Sequence, residues 1–212
     1  MPRSSLMSRF TTGLAATAAA AMLFTGHAAA EPHTVDWTAA AEQLREVATG
    51  NPAAEQAIDR LLADPQRLDE AAEEVALPAQ PFQIPAQSDI GRGGGAGVYG
   101  SGVALGIDGF RFGFFGGPGT IAPNQTGAKL EVIWLNMSNG RSGTEVLTEH
   151  NDIPVDTTIR SRVIDPGPGM VVAAVYGTLW HRWSVPVSDA HPDGFQYQKG
   201  TISFPSMGAV VN

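Results

Sequence analysis

The sequence predicts a mainly β protein, in which a β-sandwich of seven or eight antiparallel strands follows a short α-helical segment. The first observation is a series of short apolar runs, alternating with small or polar residues, from residue 91 to the end of the chain. The second is a pair of turn dipeptides, Asp108-Gly109 and Asn139-Gly140, each flanked by such runs. The third is a helical spacing of apolar residues before residue 76, which indicates amphipathic helices.

The first 30 residues are typical of a secretory signal peptide. Arg3 and Arg9 give a positively charged start, an apolar run follows, and Ala28-Ala29-Ala30 is a small-residue cleavage site. The apolar run is short and rich in alanine, unlike a membrane-spanning helix. We therefore expect cleavage near Ala30 and a mature protein that is extracellular or held in the cell envelope.

Three further segments follow from the pattern of prolines and apolar residues. Residues 31–76 are predicted to form an acidic segment of about three short helices, because Asn51-Pro52 and Asp64-Pro65 are typical helix starts. Helices this short need a surface to pack on. Residues 77–90 contain three prolines and are predicted to form an extended linker. Residues 91–212 are predicted to form the sandwich domain.

The glycine-rich stretch around Asp108-Gly109 predicts a hairpin with one apolar face. Its opposite face carries only Ala104, Gly106, Arg111 and Gly113. A neighbouring sheet or helix is expected to approach this bare face closely. A two-residue turn pairs Ile107 with Phe110, Leu105 with Phe112 and Val103 with Phe114.

The turn at Asn139-Gly140 predicts a second hairpin, which carries large apolar groups on both faces. One face is expected to line the core, and the helical segment is the expected cover for the other. The predicted cross-strand pairs are Leu135 with Thr144 and Ile133 with Val146 on one face, and Val132 with Leu147 and Trp134 with Glu145 on the other.

Charge and cysteine content exclude several classes of function. The net charge of −8 becomes −10 when Arg3 and Arg9 are removed with the signal peptide, which disfavours nucleic acid as a partner. The absence of cysteine excludes disulfides and thiol catalysis, so packing alone must hold the secreted fold. No second long apolar run follows the signal peptide, and no transmembrane helix is predicted.

The stretch Asp165 to Gly177 resembles the corner and following strand of an immunoglobulin-like sandwich. It contains a compact turn of prolines and glycines, then small apolar residues alternating up to Tyr176. The resemblance implies an immunoglobulin-like fold and nothing about activity. The alanine, glycine and proline usage resembles that of small secreted proteins of high-GC actinobacteria.

One aromatic cluster is a candidate binding site. Trp180, Arg182 and Trp183 lie close together in a long β-rich run. Exposed tryptophans beside an arginine suit a carbohydrate or protein contact, whereas buried ones would belong to the core. Regular alternation puts the two tryptophans on opposite faces, so at least one is expected to meet solvent or the helices.

A polar loop is the candidate metal site. Asp189, His191 and Asp193 stand at alternate positions before Gly194, as at the start of a calcium loop, but the twelfth position is glycine. A structural turn and a weak divalent-metal site are the two interpretations. No other cofactor is predicted, because the G-x-G-x-x-G match at residues 95–100 lacks the strand and helix of a dinucleotide site.

Catalysis has weaker support. Glu131, Glu145 and Glu149 lie on neighbouring predicted strands and could supply a carboxylate pair, and Glu145 is predicted beside Trp134. No G-x-S-x-G elbow is present. No catalytic residue is therefore assigned.

These observations predict a secreted, non-catalytic module that binds a cell-envelope component or a secreted protein. An oligomeric channel-forming envelope protein is one alternative, because the first hairpin has an apolar face and a small-residue face. A cell-wall polymer hydrolase or a metal-binding protein is another.

Overall fold

The computed structural model describes residues 35–69, 79–91, 97–106, 109–116, 121–150 and 158–212. In this part of the chain, three helices precede ten strands that form one curled antiparallel sheet. Residues 34–212 cluster as a single unit. The predicted signal peptide, residues 70–78 and Asp108 of the first turn lie outside the described residues.

The helical segment begins where its capping residues predict. The helices are α1 (Trp37–Val47), α2 (Pro52–Leu62) and α3 (Pro65–Asp69). Asp36 accepts a hydrogen bond from the Ala39 amide, and Asn51 accepts one from the Ala54 amide, which satisfies first-turn N–H groups. Within the described residues, no helix has the length and apolar character needed to cross a membrane.

The strands follow one another around a single curled sheet. Residues 77–90, predicted as a proline-rich linker, contain one short strand and all but the last residue of a second. The strands are β1 (Ala79–Pro81), β2 (Ala86–Gly91), β3 (Gly97–Leu105), β4 (Arg111–Phe115), β5 (Leu130–Asn136), β6 (Ser142–Val146), β7 (Thr158–Arg160), β8 (Met170–Ser184), β9 (Phe195–Phe204) and β10 (Ser206–Val211). Their order is β6-β5-β8-β9-β2-β3-β4-β7, with β1 also paired to β3 and β10 to β8.

The two ends of this sheet meet just beyond β6. The amides of Thr148 and Glu149 donate to the Arg160 carbonyl at 3.0 and 2.9 Å, and the Arg160 amide donates to the Glu149 carbonyl at 2.9 Å. Among the described residues, the backbone hydrogen bonds between the two ends come from residues after β6. Beside β6 itself, the segment after β7 approaches through side chains.

The mainly β prediction is confirmed, whereas an immunoglobulin-like sandwich is not. The described strands belong to one continuous sheet. The long strand β8 changes partners at Gly177, pairing with β10 before it and with β9 after it. Gly177 has φ of 112°, and a β-carbon there would lie 2.3 Å from the Lys129 carbonyl oxygen, so glycine is required.

A buried core lies on each face of the sheet. The helices cover one face through an apolar stripe that includes Leu44 and Ile58. They pack against alternate residues of β5, β8 and β10, namely Ile133, Leu135, Val172, Ala174, Tyr176, Met207 and Ala209. The other face lies on the inside of the curled sheet, and we call it the enclosed face. It holds the remaining alternate residues of β5, β8 and β10 together with Phe82, Phe110, Phe112 and Phe114. All residues of β5 are buried, as expected for a central strand with two apolar faces.

The predicted register of the first hairpin is wrong by one residue. Phe112 lies opposite Ala104 and Phe114 opposite Gly102, while Leu105 pairs with Arg111. A slip of one residue exchanges the two faces of a strand. The phenylalanine rings therefore share a face with the small residues of β3, and the predicted bare face does not exist.

The predicted register of the second hairpin is wrong by two residues. Ile133 lies opposite Thr144, and Leu135 opposite Ser142. A slip of two residues leaves each side chain on its predicted face. The prediction of two apolar faces therefore holds, although the individual pairs differ.

Candidate functional site

The hairpin of β8 and β9 presents an aromatic and basic surface. Trp180 lies opposite Lys199, Arg182 opposite Tyr197, and Ser184 opposite Phe195. Directly opposed residues share a face of a sheet. We call the surface formed by Trp180, Arg182, Phe195, Tyr197 and Lys199 the hairpin face.

A neighbouring loop is fastened to the hairpin face by side-chain hydrogen bonds. The Trp180 Nε1 group donates to the Thr126 carbonyl at 2.9 Å, and the Lys199 ammonium donates to the Gly127 carbonyl at 3.2 Å. Gln125 accepts from the Trp180 amide at 2.8 Å and donates to the carbonyls of Trp180 and Ala122. These bonds hold the indole ring and the loop in one geometry.

The loop and the hairpin face enclose a shallow depression. Its volume is about 450 Å³, and its lining residues are Pro123, Asn124, Thr126, Trp180 and Tyr197. Trp180 is half-buried, and Tyr197 keeps 43% of its surface exposed. The depression therefore combines aromatic surface with amide and hydroxyl groups.

Comparison with protein-family models, curated proteins and solved structures finds no match.

Charged groups position the remaining aromatic rings. The Arg182 guanidinium lies 4.5 Å from the centre of the Phe195 ring, in cation–π geometry. The Tyr197 hydroxyl donates to Asp193 at 2.8 Å. This bond lowers the pKa of Asp193 and raises the pKa of Tyr197, because it favours the ionised carboxylate and the neutral phenol.

The structure divides the three residues predicted for binding. Trp180 and Arg182 share the hairpin face, whereas Trp183 lies opposite Gln196 and points to the other side of the hairpin. Phe195, Tyr197 and Lys199 were missed by the sequence prediction. Their signal was the alternation along β9, which becomes informative only once β9 is paired with β8.

The polar loop has the geometry of a turn. The amide of Ser188 donates to the His191 carbonyl, and the amide of His191 donates back to the Ser188 carbonyl. Asp193 accepts from the Phe195 amide and from Tyr197, while Asp189 is exposed. Within the described residues, no three His, Asp or Glu side chains are grouped as metal ligands.

The three candidate catalytic carboxylates each have a cationic partner. Glu131 contacts Lys129 at 2.8 Å, Glu145 is held by Arg162, and Glu149 contacts Arg111. The enclosed face also brings Ser88 and His181 together, with Ser88 Oγ 3.4 Å from His181 Nε2. Both residues are buried, so this pair does not face the solvent as the hairpin face does.

Proposed function

We propose that the protein is a secreted, non-catalytic binding module, which attaches to a carbohydrate polymer of the cell envelope or extracellular space through the hairpin face. The observation that carries the proposal is the preorganised depression beside Trp180 and Tyr197. Aromatic ring faces pack against the C–H faces of sugar rings, and the neighbouring polar groups can bond to hydroxyls.

Preorganisation supports this function. Binding is weakened by the entropy lost when mobile side chains are ordered. The Trp180 ring is already oriented by its bond to Thr126, and the Tyr197 ring by its bond to Asp193. A ligand at the hairpin face therefore meets two aromatic groups with little further ordering to do.

The basic groups suit a neutral or weakly acidic polymer. Arg182 is engaged with the Phe195 ring, and Lys199 with the Gly127 carbonyl. The Lys199 ammonium carries three N–H donors, so it can bond to a ligand as well as to the Gly127 carbonyl. Sugar hydroxyls and carboxylates are both acceptors for such donors.

The test is affinity electrophoresis and calorimetry with soluble glucans and peptidoglycan fragments. We expect wild-type protein to bind at least one of these polymers, and Trp180→Ala to weaken that binding at least about tenfold, as expected for a buried aromatic contact. Trp183→Ala is the matched control, because Trp183 lies on the other side of the same strand.

Two results contradict the proposal. One is the absence of binding to every polymer by the folded wild-type protein. The other is equal loss of affinity in the Trp180 and Trp183 variants, because a specific hairpin face predicts loss in the first alone.

A further inference from the structure

The depression beside Trp180 has accessible hydrogen-bond donors on its loop side. Asn124 and Thr126 line it, and both residues are exposed. The Asn124 side-chain oxygen accepts from the Thr126 amide at 2.9 Å, which fixes the orientation of the side-chain amide. Within the described residues, neither the Asn124 Nδ2 group nor the Thr126 hydroxyl has a hydrogen-bond partner. Both groups are therefore available to a ligand.

Lys199 adds a positive charge on the same side of the depression. It is exposed and lies directly opposite Trp180 in the β8–β9 pair. Its ammonium donates to the carbonyl of Gly127, the residue that follows Thr126. An ammonium carries three N–H donors, so further donors remain at the junction of the loop and the indole ring.

Negative charge lies toward the other end of the hairpin face. Tyr197 is nearer than Lys199 to the turn that joins β8 and β9, and its hydroxyl donates to Asp193 at 2.8 Å. The described residues that line the depression itself are uncharged. A ligand carboxylate is therefore attracted to the loop side by Lys199 and repelled from the turn side by Asp193.

A carboxylate uses these donors more fully than a hydroxyl group does. It offers two oxygens that only accept, and a hydrogen bond between an ammonium and a carboxylate is roughly twice as strong as one between neutral groups. Directly opposed residues have β-carbons about 5 Å apart, which is within the reach of one sugar unit. In a uronic acid, the ring can therefore pack on Trp180 while its carboxylate reaches Lys199.

We propose that the hairpin face takes an acidic polysaccharide, in which a uronic acid ring packs on Trp180 and its carboxylate accepts from Lys199 and from the loop donors. Lys199 is then the residue that selects acidic over neutral polymers. This inference rests on the function proposed above and adds the chemical class of the polymer. The chain has a net charge of −8, so general attraction of polyanions does not explain such binding.

The experiment compares polygalacturonate with its fully methyl-esterified form by calorimetry on the full chain. The two polymers share one sugar backbone and differ in charge. We expect the acidic form to bind at least about tenfold more tightly, because only its carboxylates form charge-assisted hydrogen bonds. Dextran sulfate, which is strongly charged but has no carboxylates, should bind more weakly than polygalacturonate.

Two variants test the assigned contacts. Lys199→Gln should weaken the acidic polymer about tenfold and the ester much less, and Lys199→Arg should keep the preference. Lys129→Gln is the matched control, because it removes the same charge from a lysine whose ammonium is held by Glu131 at 2.8 Å. Asn124→Asp keeps the oxygen that accepts from Thr126 and sets a negative charge beside the ligand carboxylate, so it should also weaken the acidic form selectively.

Three results overturn the inference: equal affinity for the acid and the ester, equal affinity for dextran sulfate, and equal losses in the Lys199→Gln and Lys129→Gln variants. In each of these cases the function proposed for the hairpin face stands, provided that a polymer binds and Trp180→Ala weakens it. If no polymer binds, both proposals are wrong.

Discussion

The ring of Phe82 occupies the space where Gly102 would carry a side chain. A β-carbon on Gly102 would lie 2.3 Å from the Phe82 ring, and one on Gly208 would lie 2.5 Å from its other edge. Phe82 also meets Phe112 edge to face, with ring centres 6.1 Å apart. The glycines therefore admit an aromatic ring between the backbones of β3 and β10.

Gly102→Ala should destabilise the protein by about 3 kcal/mol, because the ring has backbone on both sides and little room to move. Gly113→Ala is a milder test of the same effect. It should destabilise the protein by about 1 kcal/mol, because the nearest atom to the new β-carbon is the end of the Val103 side chain, 3.0 Å away. Urea unfolding measures both changes.

Phe82→Ala tests whether the Phe82 ring causes the destabilisation expected for Gly102→Ala. In that background the new methyl group has space, so Gly102→Ala should cost much less than in the wild type, and a double-mutant cycle reports the coupling. Equal costs in both backgrounds would assign the effect to the backbone rather than to the ring.

The glycine pattern also shows where sequence-based prediction reached its limit. Asp108-Gly109 correctly indicated a hairpin, but the assumed two-residue turn gave the wrong register. Leu105 pairs with Arg111, so the connection is longer than two residues. Sequence alternation alone allowed both registers, because small residues and phenylalanines suit either one. Only the packing of Phe82 and Phe112 against the small residues of β3 decides between them.

The candidate site was predictable to the extent that it lies on one strand. Alternation along β8 correctly placed Trp180 and Trp183 on opposite faces. The loop carrying Gln125 and Thr126 lies more than 50 positions away in sequence and reaches Trp180 only in the folded protein. No local pattern indicates that contact.

Gln125→Ala should loosen the loop that bounds the depression beside Trp180. The substitution removes one bond accepted from the Trp180 amide and two donated to carbonyls. We expect a stability loss of about 2 kcal/mol and faster hydrogen exchange at the Ala122 amide, which donates to Trp180. Gln196→Ala, at an exposed position on β9, is the control and should leave this amide unchanged.

The same variant tests whether loop order matters for binding. If preorganisation contributes, Gln125→Ala should lower the affinity of the hairpin face for a saccharide polymer several-fold. Faster exchange of the Ala122 amide with unchanged affinity would show that the loop is not part of the binding surface.

Tyr176 should make the protein sensitive to alkaline pH. It is 1% exposed, and its hydroxyl accepts a hydrogen bond from Asn51 at the start of α2. Burial, followed by the negative charge of Glu131, raises the pKa of Tyr176 from 10.0 to about 12. The neutral phenol is therefore favoured in the folded state.

The sign of this effect follows from proton binding. Between about pH 10 and pH 12 the unfolded chain has lost the phenol proton while the folded protein retains it, so stability falls as pH rises. The full loss should be about 3 kcal/mol, because the two pKa values differ by about 2 and each unit of difference is worth roughly 1.4 kcal/mol. Unfolding free energies of wild type and Tyr176→Phe across this range test it, and parallel pH profiles would contradict it.

The Asn136 side chain connects the end of β5 to the turn before β8 by hydrogen bonds, so we expect the stability of the fold to depend on its amide group. The residue is fully buried, with 0% exposure. Its oxygen accepts from the amides of Ser138 and Asn139 at 2.8 and 3.3 Å. Its Nδ2 group donates to three carbonyls, those of Pro166, Gly167 and Pro168, at 3.0 to 3.1 Å.

Asn136→Asp should therefore destabilise the protein at neutral pH by about 3 kcal/mol or more, because it turns a carboxylate oxygen toward three carbonyl oxygens. This arrangement disfavours the charged form and raises the pKa of the introduced carboxyl. Protonation restores one donor, so the cost should shrink as the pH falls through that raised pKa. Asn136→Ala, which removes the bonds without adding charge, should show a cost that varies little with pH. Chemical unfolding at pH 7 and pH 4 compares the two variants with wild type, and a pH-independent difference for Asn136→Asp would mean that the introduced oxygen has found another donor.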